Sequence, residues 1–191
     1  MRRLPVLFLL CGLAAVARAQ NGGYLGVSIG SFDYSQSGDS GIPISDSAGA
    51  YRLLGGYQFN ENYAIEAGWG TTEDLKETFR FLDPFFGDVS LTIKYDYEIS
   101  MVRFLAFAPL SSMSIFGGAG YYDATINFSA RIEDNSGVAT FAEELGDDGA
   151  MVVGGIQFER DRITLRGEYE WLDAEGDVDT TTLSFAVLFR F

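Results

Sequence analysis

The sequence predicts an all-β protein, an eight-stranded antiparallel up-and-down transmembrane β-barrel. Three observations predict it. The final segment alternates large apolar with mostly small or polar side chains and closes on a phenylalanine, Phe191. Seven further segments read as strands, several with their charges gathered on one face. The connections between them are by turns short and long, as in barrels whose tight turns lie on one side of a membrane.

The chain opens with Arg2 and Arg3, the apolar run Leu4 to Val16, and then Ala17-Arg18-Ala19. A charged start, a short apolar stretch and a small-x-small site describe a secretory signal peptide over residues 1–19. The run is too short for a spanning helix, which needs ~20 apolar residues, and Pro5 and Gly12 interrupt it. A lipoprotein signal would place a small residue before Cys11, where Leu9 and Leu10 stand. Cleavage after Ala19 leaves one domain, 20–191, with no cysteine and therefore no disulfide framework. It also removes three arginines, leaving ten Lys and Arg against 27 Asp and Glu, a net charge of −17. Such a charge disfavours nucleic acid as a partner.

The first strand is Tyr24 to Tyr34, with Leu25, Val27 and Ile29 on one face and Gly26, Ser28 and Gly30 on the other. Asn60-Glu61-Asn62 makes a hairpin turn between two alternating runs, Tyr51 to Phe59 and Tyr63 to Trp69. Strands over about Val89 to Phe107 and Met113 to Phe128 flank Pro109-Leu110-Ser111-Ser112. Glu98 and Arg103 have opposite parity on the first of these, so one faces outward unless a bulge intervenes. Ala150 to Phe158 and Arg162 to Trp171 surround a turn at Asp161. In the second of these, Ile163, Leu165, Tyr169 and Trp171 oppose Thr164, Arg166, Glu168 and Glu170. Leu183 to Phe191 completes the set. The long connections are expected near Ser35–Ala48, Thr71–Asp88 and Ala130–Asp148, with a medium one at Ala174–Asp179. A soluble lipocalin-like barrel would share this periodicity, with its apolar face turned inward.

Arg52, Arg166 and Arg190 share the predicted inner surface with Glu66, Glu168 and Glu170, and Gln58 and Gln157 lie nearby. Eight strands enclose a space that side chains can fill, and buried charges there must pair. The network is therefore read as a salt-bridged plug. The other reading is a narrow pore, for which small residues such as Gly26, Gly30, Gly68 and Gly118 would leave room.

Several segments resemble OmpA-like outer-membrane barrel domains. Gly55-Gly56-Tyr57-Gln58-Phe59-Asn60-Glu61-Asn62-Tyr63-Ala64-Ile65-Glu66-Ala67-Gly68-Trp69 is similar to their second hairpin, Phe116-Gly117-Gly118-Ala119-Gly120-Tyr121 to their fifth strand, and Arg166-Gly167-Glu168-Tyr169-Glu170 to their seventh. Phe185, Val187, Phe189 and Phe191 resemble the carboxy-terminal signature that the outer-membrane assembly machinery reads. The resemblance implies Sec-type export, a place in the outer membrane among its lipid and lipopolysaccharide, and a role in envelope integrity, adhesion or recognition of an extracellular ligand. OmpA-type proteins often continue into a peptidoglycan-binding domain. This chain stops at the barrel, so wall anchoring is not carried over.

No residue is assigned a catalytic, cofactor or metal role. Histidine is absent, and the enzymes known among small outer-membrane barrels use one for proton transfer. The loops are expected to be acidic, through Glu133, Asp134, Glu143, Glu144, Asp147 and Asp148 and then Asp173, Glu175, Asp177 and Asp179. Oxygen-rich spacing of this kind raises Ca²⁺ bridging to lipopolysaccharide, without the full calcium-loop pattern. Phe79, Phe81, Leu82, Phe85 and Phe86 crowd around Pro84 in the second long connection, as a binding surface or as loop packing. The expected function is a structural or surface-interaction barrel; the alternative is a narrow channel for small solutes.

Overall fold

The computed structural model describes residues 22–36, 44–83, 87–134, 137–173 and 178–191. The expected signal segment, Pro84, Phe85, Phe86, Glu175 and Asp177 lie outside them. Nine strands form one antiparallel sheet: β1 (Gly23–Gln36), β2 (Ile44–Asn60), β3 (Tyr63–Thr72), β4 (Leu75–Asp83), β5 (Gly87–Leu110), β6 (Met113–Asp134), β7 (Gly137–Arg160), β8 (Ile163–Asp173) and β9 (Val178–Arg190). Both β3 and β4 pair with β5, end to end, so the two share one stave of an eight-staved ring. Pairing of β1 with β9 closes it.

Three tight turns lie at the end where β1 begins and β9 finishes. Asn62 donates its backbone N–H to Asn60 Oδ1 at 2.8 Å, and Ser111 and Asp161 take positive φ of 65° and 55°. The Asn60 side chain bonding the local backbone, and short polar residues at the positive-φ positions of the other two turns, suit two-residue reversals. A hydrogen-bond line leaving β1 at Asp33 crosses Thr181, Trp171, Val152, Ala119, Phe104, Ile65 and Tyr57 and returns to β1 at Gly23. That ten-residue fall over eight staves corresponds to a strand tilt of about 40°.

Around the ring the outward residues are apolar and exposed, among them Leu25, Val27, Leu53, Phe104, Ile156 and Phe185. Phe59, Tyr63, Phe158 and Phe189 border this band at the turn end, and Tyr51, Trp69, Tyr121 and Trp171 at the other. An apolar band between two aromatic girdles is a lipid-facing surface. The soluble alternative, with its apolar face inward, is excluded by this arrangement. β5 resolves the parity question: its odd residues from Tyr97 to Phe107 are buried, so Arg103 points inward and Glu98 outward, with unbroken register and no bulge.

Three expected loops are corrected. Residues 75–83 and 87–88 are strand, as are 130–134 and 137–148, and β1 and β2 extend over 35–36 and 44–48. The strands β4 to β7 thus rise beyond the barrel as a four-stranded extension. There the face polarity reverses. Phe79, Leu91, Ile93, Phe128, Ile132 and Phe141 lie on the inner face, and Lys76, Arg80, Lys94, Asp96, Asn127 and Glu144 on the outer. Lipid surrounds the barrel, whereas water surrounds the extension, so the apolar side chains change sides without any change in the pleat.

Candidate functional site: the charged lumen

The alternation of β5 and β8 stacks the barrel interior in layers. From the turn end, β5 sends in Phe107, Leu105, Arg103, Met101, Ile99 and Tyr97, and β8 sends in Thr164, Arg166, Glu168, Glu170 and Leu172. One charged layer thus sits between two apolar ones. Ala64, Leu105, Phe107, Phe116 and Val153 pack beneath it. Phe32, Leu75, Tyr97, Ile99, Tyr122 and Met151 belong to the larger apolar cluster, part of which packs above it.

The charged layer holds three arginines, Arg52, Arg103 and Arg166, and three glutamates, Glu66, Glu168 and Glu170, all buried. Arg103 is its hub. It pairs with Glu66, with Glu170, and with both oxygens of Glu168 at 2.8 and 2.9 Å. Arg166 donates to Glu66 at 2.7 Å and to Glu168 at 3.1 Å, and its Nε reaches Gln157 Oε1 at 3.2 Å. Arg52 pairs with Glu170 and donates to Thr182 at 3.2 Å. The Tyr24 hydroxyl donates to Glu66 at 2.8 Å, and the Arg166 guanidinium lies over the rings of Tyr24 and Phe116, at 5.6 and 5.1 Å. Charges balance three to three, and each forked guanidinium meets more than one acceptor, the condition under which buried ions are tolerated.

The sixth predicted lumen residue stands apart. Arg190 is half-buried at the turn end, where it donates to Gln58 at 2.7 Å and Glu159 at 2.6 Å, outside the central layer. Arg103, the hub, was missed. The signal that finds it is the run Val102, Phe104, Ala106 and Ala108, an outward apolar stripe that fixes the parity of the strand.

Several small lumen residues face large side chains directly. A Cβ on Gly70 would sit 2.4 Å from Arg52 Cγ, one on Gly56 2.3 Å from Tyr24 Cζ, and one on Gly68 2.5 Å from Met101 Cε. These glycines give their volume to the large side chains that cross the interior.

Of the acidic residues predicted as loop ligands, Glu133, Glu143, Glu144, Asp147 and Asp148 lie on β6 and β7, where alternation divides neighbouring acids between opposite faces, and the side chains of Asp134 and Asp179 lie outside the described ones. Among the described residues no group of three acidic or cysteine side chains is placed to hold a metal ion.

The pattern of the family described as outer membrane protein beta-barrel domain matches residues 4–191. The chain belongs to that family. Its location is the outer membrane. No curated protein sequence is a significant match. Solved barrels share the family's architecture with the chain. Ail, the attachment invasion locus protein of Yersinia pestis, crystallised with the heparin analogue sucrose octasulfate, is 17% identical with a TM-score of 0.56, covering 88% of this chain and 99% of its own. Neisserial surface protein A is 16% identical with a TM-score of 0.51, over 88% of this chain and 97% of its own. The N-terminal β-barrel domain of Pseudomonas aeruginosa OprF is 11% identical with a TM-score of 0.52, over 87% and 97%. At these identities the likeness is one of fold.

Proposed function

We propose that the protein is a closed, non-catalytic barrel whose role is structural and interactive at the cell surface, exercised through the extension of β4 to β7. What supports this reading is the ion-paired layer that spans the interior. Arg103 ties Glu66 on β3 to Glu168 and Glu170 on β8 across the lumen, between apolar layers above and below. A pore would require water where these ion pairs stand. The extension exposes large apolar and acidic side chains together, as interaction surfaces do.

The kind of partner follows from charge. Ail was crystallised with a polysulfated ligand, an anion. This chain carries a net charge of −14, so a neutral or cationic extracellular partner suits it better. Residues 1–19 serve in this reading as the export signal. Phe185, Val187, Phe189 and Phe191, all outward on β9 or just past it, present the assembly signal and afterwards meet outer-membrane lipid and lipopolysaccharide.

Planar-bilayer recording tests the closed state. The refolded protein is expected to show no steady conductance, while exchanging Glu66 or Glu168 for glutamine opens intermittent steps. Steady conductance of the unaltered protein would reject the plug and make Arg103, Arg166 and Glu168 candidate selectivity residues of a narrow channel.

A further inference from the structure

On the inner face of the extension, Phe79, Phe81, Ile132, Phe141 and Leu145 are 43 to 58% exposed. Cross-strand rows join them into one apolar surface, as Phe79 with Leu91, Ile132 and Ala139. Water bathes this part of the chain, and a continuous apolar face in water marks a place where another surface packs.

Charge says which surface. Every charged side chain described on this face is acidic: Glu77 on β4, Glu143 on β7 and, nearer the barrel, Asp147. The basic residues of the extension, Lys76, Arg80, Lys94 and Arg131, all lie on the outer face. There Lys94 pairs with Asp74 and Arg131 with Glu133, while Glu77 and Glu143 have no ion-pair partner among the described residues. A second copy would bring the same acids on its own inner face and be repelled. The connections 37–43, 84–86, 135–136 and 174–177 contain no Lys or Arg. The complementary charge therefore comes from a different molecule.

The two glutamates stand at opposite margins of the apolar face. Glu77 lies two residues along β4 from Leu75, whose hydrogen-bond line through Tyr95 and Phe128 ends at Glu143. With strands tilted about 40°, that line climbs by about four residues from β4 to β7, so Glu77 and Glu143 stand within about 5 Å of one height. Three strand spacings, about 14 Å, separate their strands. A helix with its side chains is about 10–12 Å across and fits between these margins. Lysines flanking its apolar stripe would reach both carboxylates while their stems stay on apolar surface. Along β5, Val89 to Tyr97 spans about 26 Å, the length of about 18 helical residues.

We propose that the inner face of the extension binds a cationic amphipathic helix of another polypeptide, its apolar stripe against Phe79 and Phe141 and its basic flanks on Glu77 and Glu143. The inference rests on the surface-interaction reading and deepens it. A partner held on the outer face would keep that reading and overturn this one.

A synthetic peptide tests it. A Leu and Lys peptide of about 18 residues with helical periodicity is titrated into the protein refolded in zwitterionic lipid nanodiscs, with empty discs as the blank. It is expected to bind the protein saturably. The same peptide with Glu for Lys, or with Leu and Lys strictly alternating as in a strand, should bind at least about tenfold more weakly. Glu77→Gln with Glu143→Gln should weaken binding about tenfold, the scale of two exposed ion pairs, and Phe141→Ser by a similar factor. Glu144→Gln with Asp96→Asn removes equal charge from the outer face and should leave affinity within about twofold. In a Cys11→Ser background, a fluorophore on Ala139→Cys, facing inward, is expected to be quenched by a tryptophan-bearing form of the peptide, and one on Thr140→Cys, facing outward, is not. Heat-modifiability on gels shows each variant to be folded. Binding no tighter than to empty discs, indifference to the inner-face glutamates, equal sensitivity to the outer-face pair, equal binding of the acidic or alternating peptide, or quenching at 140 in place of 139 overturns the proposal.

Discussion

β5, β6 and β7 each pass through two environments, and the contrast between them is instructive. In the barrel, their outward residues, such as Val102, Phe104 and Ile156, are exposed and apolar, while Arg103 and Gln157 are buried. In the extension, the outward residues are Lys94, Asp96 and Asn127, and the inward ones Ile93, Phe128 and Phe141. Pleat and register continue unbroken from one region to the other. What changes is the solvent on the convex side. A strand therefore carries no fixed relation between polarity and inside; the surrounding medium decides which face is apolar.

If the contrast is real, equivalent substitutions cost very different amounts in the two regions. The largest effect belongs to the lumen. In a dry lumen Glu66→Gln leaves Arg103 and Arg166 short of a carboxylate, and should destabilise by ~3–5 kcal/mol in urea unfolding from lipid. Glu144→Gln, exposed on the extension, should stay within ~0.5 kcal/mol. A lumen value near that of exposed Glu144 would mean that the interior is wet. The coupling between Arg166 and Glu168, from Arg166→Gln, Glu168→Gln and the double variant, sharpens the point: several kcal/mol signals a dry pair, and ~0–1 kcal/mol a hydrated one.

Next comes the lipid face. Phe185→Arg sets a charge against hydrocarbon and should cost ~2–4 kcal/mol. Thr92→Arg, on the outward face of the extension, meets water and should cost ~0.5 kcal/mol or less. Refolding into vesicles measures both, and equal costs would erase the boundary between the regions. Gly70→Ala is expected to lose ~1–3 kcal/mol, because its methyl would press on Arg52 Cγ and the Tyr51 carbonyl oxygen. The smallest effect should come from Gly146→Ala, where an added Cβ meets nothing within 4 Å; gel-shift melting in detergent is expected to stay within ~0.5 kcal/mol of the parent.

The barrel was legible because lipid outside and charge inside impose strict alternation, as in Ile163 to Trp171 and Leu183 to Phe191. The hairpins at Asn60 and Asp161 were legible through turn chemistry. The extension was not. Phe79, Phe81 and Leu82 near Pro84 read as a loop, and the acids of 143–148 read as solvated tips, because neither segment keeps the phase of the strand below it. Arg103 was lost at the same place, where Glu98 belongs to one phase and Arg103 to the other. Which arginine meets which glutamate depends on β3 and β8 facing each other across the ring, a relation that no local pattern encodes.

The seam between β1 and β9 has a kinetic consequence. It joins Tyr24 to Arg190, and Phe191 donates its backbone N–H to the carbonyl of Gly23 at 3.0 Å. Every other neighbouring pair of strands is linked by a connection of modest length, whereas this one encloses almost the whole described chain. Loop-closure entropy rises only logarithmically with length, but it must be met before the seam's contacts form, and long sequence separation slows folding. Hairpins can assemble one after another in any order; the ring shuts in a single late event. Until then the two outer strands keep unpaired edges, which are templates for misassembly.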